Sequence, residues 1–180
     1  MGRFVLAIDQ GTTGSTVALM DARGVLRGSV NFEFPQIYPQ PGWVEHRPTD
    51  IWHSVGKGIS AILRKKICKP SEIVAIGITN QRETALLWDR DTGEPLNNAV
   101  VWQCRRTTDF CESLRAAGHE QSVRRKTGLL LDPYFSASKF RWLLKNTRGI
   151  SRLLQSGRVA AGTIDSFLIW QLSGGDTHVS

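Results

Sequence analysis

Phe4-Val5-Leu6-Ala7-Ile8-Asp9-Gln10-Gly11-Thr12-Thr13-Gly14-Ser15-Thr16-Val17-Ala18-Leu19-Met20 is the stretch on which the architecture turns. The apolar run 4–8 has the length and unbroken hydrophobicity of a strand buried on both faces. It stops at Asp9. Gly11 and Gly14 permit a tight turn, and 16–20 resumes as a second strand. A further turn at Asp21-Ala22-Arg23-Gly24 leads into a third strand, 25–34, so the chain opens as an antiparallel meander.

Outward from the meander, Pro35 to Pro48 is proline-rich and predicts an ordered irregular loop carrying Tyr38 and Trp43. Pro48 suits the first position of a helix. Ile51, Trp52, Val55, Ile59, Ile62 and Leu63 then recur at helical spacing and predict a core-facing stripe, with Gly56 and Gly58 allowing close packing. The run 73–79 is a second buried strand. A strand, a helix and another strand make a crossover unit, so 73–79 is expected parallel to 4–8.

Beyond it, 84–89 and 99–102 flank the turn Asp91-Thr92-Gly93-Glu94-Pro95 and predict a hairpin. Helices are expected at 105–117, 120–126 and 136–146. A short strand is expected at 159–161, and a last helix after Thr163. The order predicts an α/β fold of the ribonuclease H-like, actin-like ATPase type, with a mixed five-stranded sheet and flanking helices.

Composition narrows the class. The chain has 180 residues, 41% hydrophobic and 22% charged, as in ordinary soluble domains. No stretch has the apolar length of a membrane span. Met1 to Asp9 lacks the apolar region of a signal peptide, and Leu6 stands where a myristoylation motif needs Ser or Thr. The three cysteines, Cys68, Cys104 and Cys111, contain no C-x-x-C pair and read as reduced thiols in a cytoplasmic protein. The net charge of +7 is spread over Arg64-Lys65-Lys66, Arg105-Arg106 and Arg124-Arg125-Lys126. These clusters read as helix ends and solvated faces, without the interleaved aromatics of a nucleic-acid surface. Neither nucleic acid nor membrane is expected as a partner.

Two constellations carry chemistry. In the first, Gly11 and Gly14 leave room for close approach and Thr12, Thr13 and Ser15 supply hydroxyls. Taken alone, this fits a plain hairpin turn as well as a backbone cradle for phosphate. It is not a Walker loop, because no Gly-Lys-Ser/Thr follows. Asp9 could hold a magnesium ion through water. The second lies at the carboxyl end of strand 73–79, where open α/β sheets place ligands. There Arg82 beside Glu83 offers donors and an acceptor, as an uncharged polyhydroxy substrate requires. A surface ion pair fits them equally. Trp102 and Tyr134 suit an apolar wall, or simply a core.

Five strings, 9–13, 41–45, 77–84, 101–107 and 127–136, closely resemble the FGGY carbohydrate kinases. Asn80-Gln81-Arg82-Glu83-Thr84 and Trp102-Gln103-Cys104-Arg105-Arg106 resemble the glycerol-phosphorylating branch in particular. The resemblance spans nearly the whole chain. It implies that Arg82, Glu83 and Tyr134 bond glycerol, that Trp102 walls its carbon edge, that Thr12, Thr13 and Gly14 meet the phosphates of ATP, and that Asp9 lies near Mg2+. Many relatives carry Ser at position 14 and Arg at position 16, where this chain has Gly14 and Thr16. The resemblance also implies that residues 1–180 are an N-terminal domain, incomplete at its C-terminal end. The general base and the adenine-binding lobe are expected beyond Ser180, and the chain alone is expected to be inactive. A kinase for another sugar and a non-catalytic binding remnant both fit the same motifs. A homo-oligomer is compatible with an exposed apolar patch. A ribonuclease H-like nuclease is disfavoured, since its two metals need carboxylates that the strands lack.

Overall fold

A computed structural model describes residues 3–179; the myristoylation reading at Gly2 and the chain end at Ser180 lie outside them. In chain order the elements are β1 (Phe4–Gln10), β2 (Gly14–Asp21), β3 (Leu26–Glu33), β4 (Glu45–His46), α1 (Pro48–Arg64), β5 (Ile73–Asn80), β6 (Ala85–Asp89), β7 (Ala99–Val100), α2 (Thr108–Ala116), α3 (Glu120–Thr127), α4 (Ser136–Asn146), α5 (Ile150–Gln155), β8 (Val159–Thr163) and α6 (Ile164–Leu172). They fall into two compact units. The first holds 3–36 and Arg47–Gln81, the second Ile37–His46 and 82–179.

The first unit is the meander with its crossover. Its sheet runs β3-β2-β1-β5. β1 and β2 pair antiparallel from Phe4↔Asp21 to Gln10↔Ser15, while β5 lies parallel to β1 with Asp9 opposite Thr79. Leu6, Ile8, Val17 and Leu19 share the buried face, and Ile51, Val55 and Ile62 of α1 are buried with them. Gly58 makes this packing close. A Cβ there would stand 2.4 Å from Val17 Cγ2, whereas one at Gly56 would meet nothing. Neither apolar run is buried on both faces as expected: β1 alternates, with Val5 and Asp9 exposed, and β5, at the edge of the four-stranded sheet, has no buried residue and exposes Val74 and Ile76.

The second unit contains its own sheet, β4-β7-β6-β8, antiparallel throughout. The mixed α/β order is therefore as expected, but the single five-stranded sheet is not. The first sheet has four strands, and 159–163 pairs with β6 instead. The reason is packing. β6 is buried along its whole length, and β8 brings the small residues Ala160, Ala161 and Gly162 against it. A Cβ on Gly162 would lie 3.1 Å from the Trp88 ring.

Other differences have equally local causes. The loop 35–48 contributes β4, because Glu45 pairs with Ile37 on one side and Val100 on the other. α2 starts later than the pattern suggests, since the Arg105 N–H donates to the Gly42 carbonyl at 2.8 Å and leaves the helical ladder. α5 was not expected; Gly149, at φ 73°, opens it.

Arg106 corrects the view of the basic clusters as solvated. Its side chain is only 1% exposed. The guanidinium lies 3.9 Å from the Trp43 ring centroid and 4.4 Å from that of Trp142, and donates to Glu45 Oε1 at 2.6 Å. Strings 41–45 and 101–107 thus meet in the core of the second unit.

Candidate functional site

The hairpin between β1 and β2 is held at its base by side chains and at its tip by backbone. Gly11 N–H donates to the Gly14 carbonyl at 2.8 Å, closing the turn. Buried Gln10 donates to the Gly11 carbonyl at 2.7 Å. Gln81, at the end of β5, donates through its N–H to the Gln10 carbonyl (2.7 Å) and through Nε2 to Gln10 Oε1 (3.2 Å). Gln36 Nε2 and Phe34 N–H hold the carbonyls of Thr12 and Thr13 at 3.0 and 3.2 Å.

The glycines serve space rather than turn conformation. Neither Gly11 nor Gly14 has positive φ. A Cβ at Gly14 would come within 2.9 Å of the Phe32 carbonyl oxygen, so the absence of a side chain lets β2 and β3 approach. Gly14 itself is buried. Ser15, expected among the phosphate-facing hydroxyls, is buried too and shares a 2.7 Å hydrogen bond with Ser54 of α1. What the tip presents outward is Thr13, exposed, and Thr12, half-buried. Asp9 is exposed at the carboxyl end of β1.

No group of three or more His, Cys, Asp or Glu side chains gathers among the described residues. A lone exposed carboxylate still fits magnesium. That ion keeps several waters and takes its remaining ligands from one or two carboxylates and from substrate phosphates.

The second cluster lies within the second unit. Glu83 adopts φ 68°, one of two non-glycine residues with positive φ among those described. The backbone here turns Glu83 onto the start of α4, where its Oε2 accepts from Ser136 N–H (2.8 Å) and Ser136 Oγ (2.5 Å). A carboxylate at a helix N-terminus is stabilised by the unpaired N–H groups and the helix dipole. Thr84 Oγ1 accepts from Trp102 N–H at 3.3 Å. The Trp102 and Tyr134 rings meet edge to face, with centroids 5.9 Å apart. Asp132 shapes the turn before α4, accepting from Tyr134 N–H at 2.7 Å. Arg82 is exposed and makes no hydrogen bond or ion pair among the described residues.

Sequence reasoning missed Lys139. This residue is wholly buried. Its ammonium donates to the carbonyls of Tyr134 and, at 3.2 Å, Phe135. Burial pushes its pKa down to about 8, with the charge of Glu83 opposing that shift. A hint was present: Lys139 lies four residues before buried Leu143, on the apolar stripe of α4, where an unpaired lysine has no place.

The structure therefore brings Glu83, Thr84, Trp102, Tyr134 and Ser136 together in one unit, with Arg82 next in the chain. It assembles Asp9, Thr12, Thr13 and Gly14 on one hairpin in the other. A meander, a crossover strand and a hydroxyl-bearing hairpin define an α/β protein of the actin-like ATPase kind.

The particular family follows from comparison with known proteins. Residues 4–180 match the N-terminal domain of the FGGY family of carbohydrate kinases, and the chain belongs to that family. It is 51% identical over 178 residues to a glycerol kinase of Halothermothrix orenii, covering 99% of this chain and 36% of that protein. It is 53% identical over 180 residues to a glycerol kinase of Chelativorans sp., again covering 36% of it. A crystal structure of Plasmodium falciparum glycerol kinase with ADP superposes with a TM-score of 0.84 at 34% identity, over 97% of this chain and 35% of that one. A gluconate kinase from Lactobacillus acidophilus, 23% identical with a TM-score of 0.82, shares the fold. The chain spans about a third of the length of these relatives. Among the described residues, no helix is long and apolar enough to cross a membrane.

Proposed function

We propose that this chain is the glycerol- and phosphate-binding domain of an ATP-dependent kinase that forms glycerol 3-phosphate in the cytoplasm. The observation that carries the proposal is the divided carboxylate of Glu83. One oxygen is committed to α4, which fixes the group in place. The other makes no hydrogen bond or ion pair among the described residues and can accept from a substrate hydroxyl. Arg82, exposed beside it, can donate to the same substrate, as can the Tyr134 hydroxyl. Each hydroxyl of glycerol donates one hydrogen bond and can accept up to two, which this mixture of donors and acceptor matches. Trp102, set edge to face against Tyr134, covers the carbon side.

In the reaction, a terminal glycerol oxygen forms a bond to the γ-phosphorus as the bond to the ADP oxygen breaks. The hydroxyl proton passes to a general base that we place outside residues 1–180. Phosphoryl transfer of this kind depends mainly on positioning and charge neutralisation. Thr12 and Thr13 bond phosphate oxygens at the hairpin tip. Asp9 would hold Mg2+ through water, and the ion would offset phosphate charge.

The test is a competition in the full-length enzyme among glycerol, xylulose and gluconate. Glycerol should have the highest kcat/KM. Preference for either competitor overturns the substrate assignment. Residues 1–180 alone should give no glycerol 3-phosphate; ATP-dependent product from them would show that the base lies within the chain.

A further inference from the structure

We propose that Lys139 is a positioning residue for the substrate site, gripping the 134–136 turn from beneath while Glu83 grips it from the side. The inference rests on the glycerol reading of that site.

Three observations converge. First, Lys139 is wholly buried yet charged, a placement that occurs only where the ammonium is well partnered. Its partners are the carbonyls of Tyr134 and Phe135. Second, the next residue in the chain, Ser136, is held through both N–H and Oγ by Glu83. The short turn is therefore fixed by a cation on its carbonyls and by a carboxylate on its N–H. Third, the turn carries the Tyr134 ring, which stands against Trp102 and lies 6.0 Å from the lysine nitrogen. The charge of Glu83 also opposes the downward pKa shift that burial imposes on Lys139.

The consequence is specific. Removing Lys139 frees the Tyr134–Phe135 carbonyls and unbalances the charge of Glu83. Tyr134 and the substrate-facing oxygen of Glu83 then lose their set positions together. Lys139 and both of its carbonyl partners lie within the second unit. A lysine that only stabilised the fold would lower the amount of folded enzyme, and with it the apparent kcat, without moving either KM.

The experiment uses Lys139→Met and Ser136→Ala in the full-length enzyme, with melting curves and both KM values. Met keeps the length of the side chain without its charge, and Ser136→Ala removes only the Oγ bond to Glu83. Lys139→Met should raise the glycerol KM about tenfold, and Ser136→Ala about threefold, while the ATP KM stays within about twofold. An unmoved glycerol KM in folded Lys139→Met overturns the proposal. If that variant does not fold, an unmoved glycerol KM in Ser136→Ala overturns it. Failure of the unaltered enzyme to phosphorylate glycerol is a separate outcome, which overturns the substrate reading and this proposal with it.

Discussion

The hairpin of the first unit and the cluster of the second are both candidate ligand sites, but they are built on different principles. The hairpin is shaped by close backbone approach. Gly14 lies where a Cβ would strike the Phe32 carbonyl, buried Gln10 and Gln81 brace the base, and Thr13 at the tip is left exposed. The cluster is shaped by side chains bound to backbone: Glu83 on Ser136, Thr84 on Trp102, Lys139 on Tyr134 and Phe135. A site of the first kind tolerates change at its tip and fails at its packing. A site of the second kind has its function and its architecture in the same atoms.

The largest expected effect tests whether the second unit, held by buried polar groups, is the acid-sensitive one. His46 is wholly buried in β4, and burial pushes its pKa down to about 4 from an ordinary 6.5. The unfolded chain therefore binds the proton more tightly. Stability is full above pH 6.5 and is lost as pH falls toward 4, by about 3 kcal/mol at most. Amide exchange should show β4 and β7 losing protection across this window before β1 and β2 do, and His46→Gln should flatten the dependence. Equal loss in both units would break the contrast.

Next in size, Glu83→Ala removes the proposed substrate acceptor and the brace on α4 at once. We expect kcat/KM for glycerol to fall by about 2.5 kcal/mol, or 50- to 100-fold, with a lower melting temperature. Arg82→Ala should lower kcat/KM about tenfold with melting unchanged, because Arg82 supports nothing else. A stability loss in the arginine variant would show that the two neighbours are not divided in this way.

In the first unit the matching test is steric. Gly58→Ala sets a methyl against the stiff Val17 side chain and should destabilise by about 1.5 kcal/mol in denaturant titration. Gly56→Ala, facing open space on the same helix, should stabilise by about 0.7 kcal/mol. At the exposed tip the kinetic effect should be smaller than in the cluster. Thr13→Ala should raise the ATP KM about fivefold, near 1 kcal/mol, and leave the glycerol KM unchanged.

What could be read in the sequence follows the same division. Continuous apolar runs marked β1 and β5, and the intervening helix marked their parallel pairing, because a local period decides both. The second sheet was not legible. Whether residues 159–163 join one sheet or another depends on which buried strand has room beside it, and that was set by Trp88 against Gly162, far apart in sequence. The motif residues Arg82, Glu83, Trp102 and Tyr134 could be named in advance; their supports Ser136 and Lys139 could not. Arg106 shows the converse. Its string looked like part of a site or a surface, yet the side chain lies between Trp43 and Trp142 in the core. A recurring string records a need for certain side chains without saying whether chemistry or packing needs them.

The backbone at Glu83 also bears on how this protein would answer a mutational screen. Glycine there would relieve the positive φ, gaining about 1 kcal/mol, and would forfeit the brace on α4, losing about as much. A survey scored only by folding or expression would record glycine at position 83 as nearly silent. Under selection for growth on glycerol, the same position would be among the least permissive. Disagreement between two such maps is a direct way to find residues that are strained for a purpose.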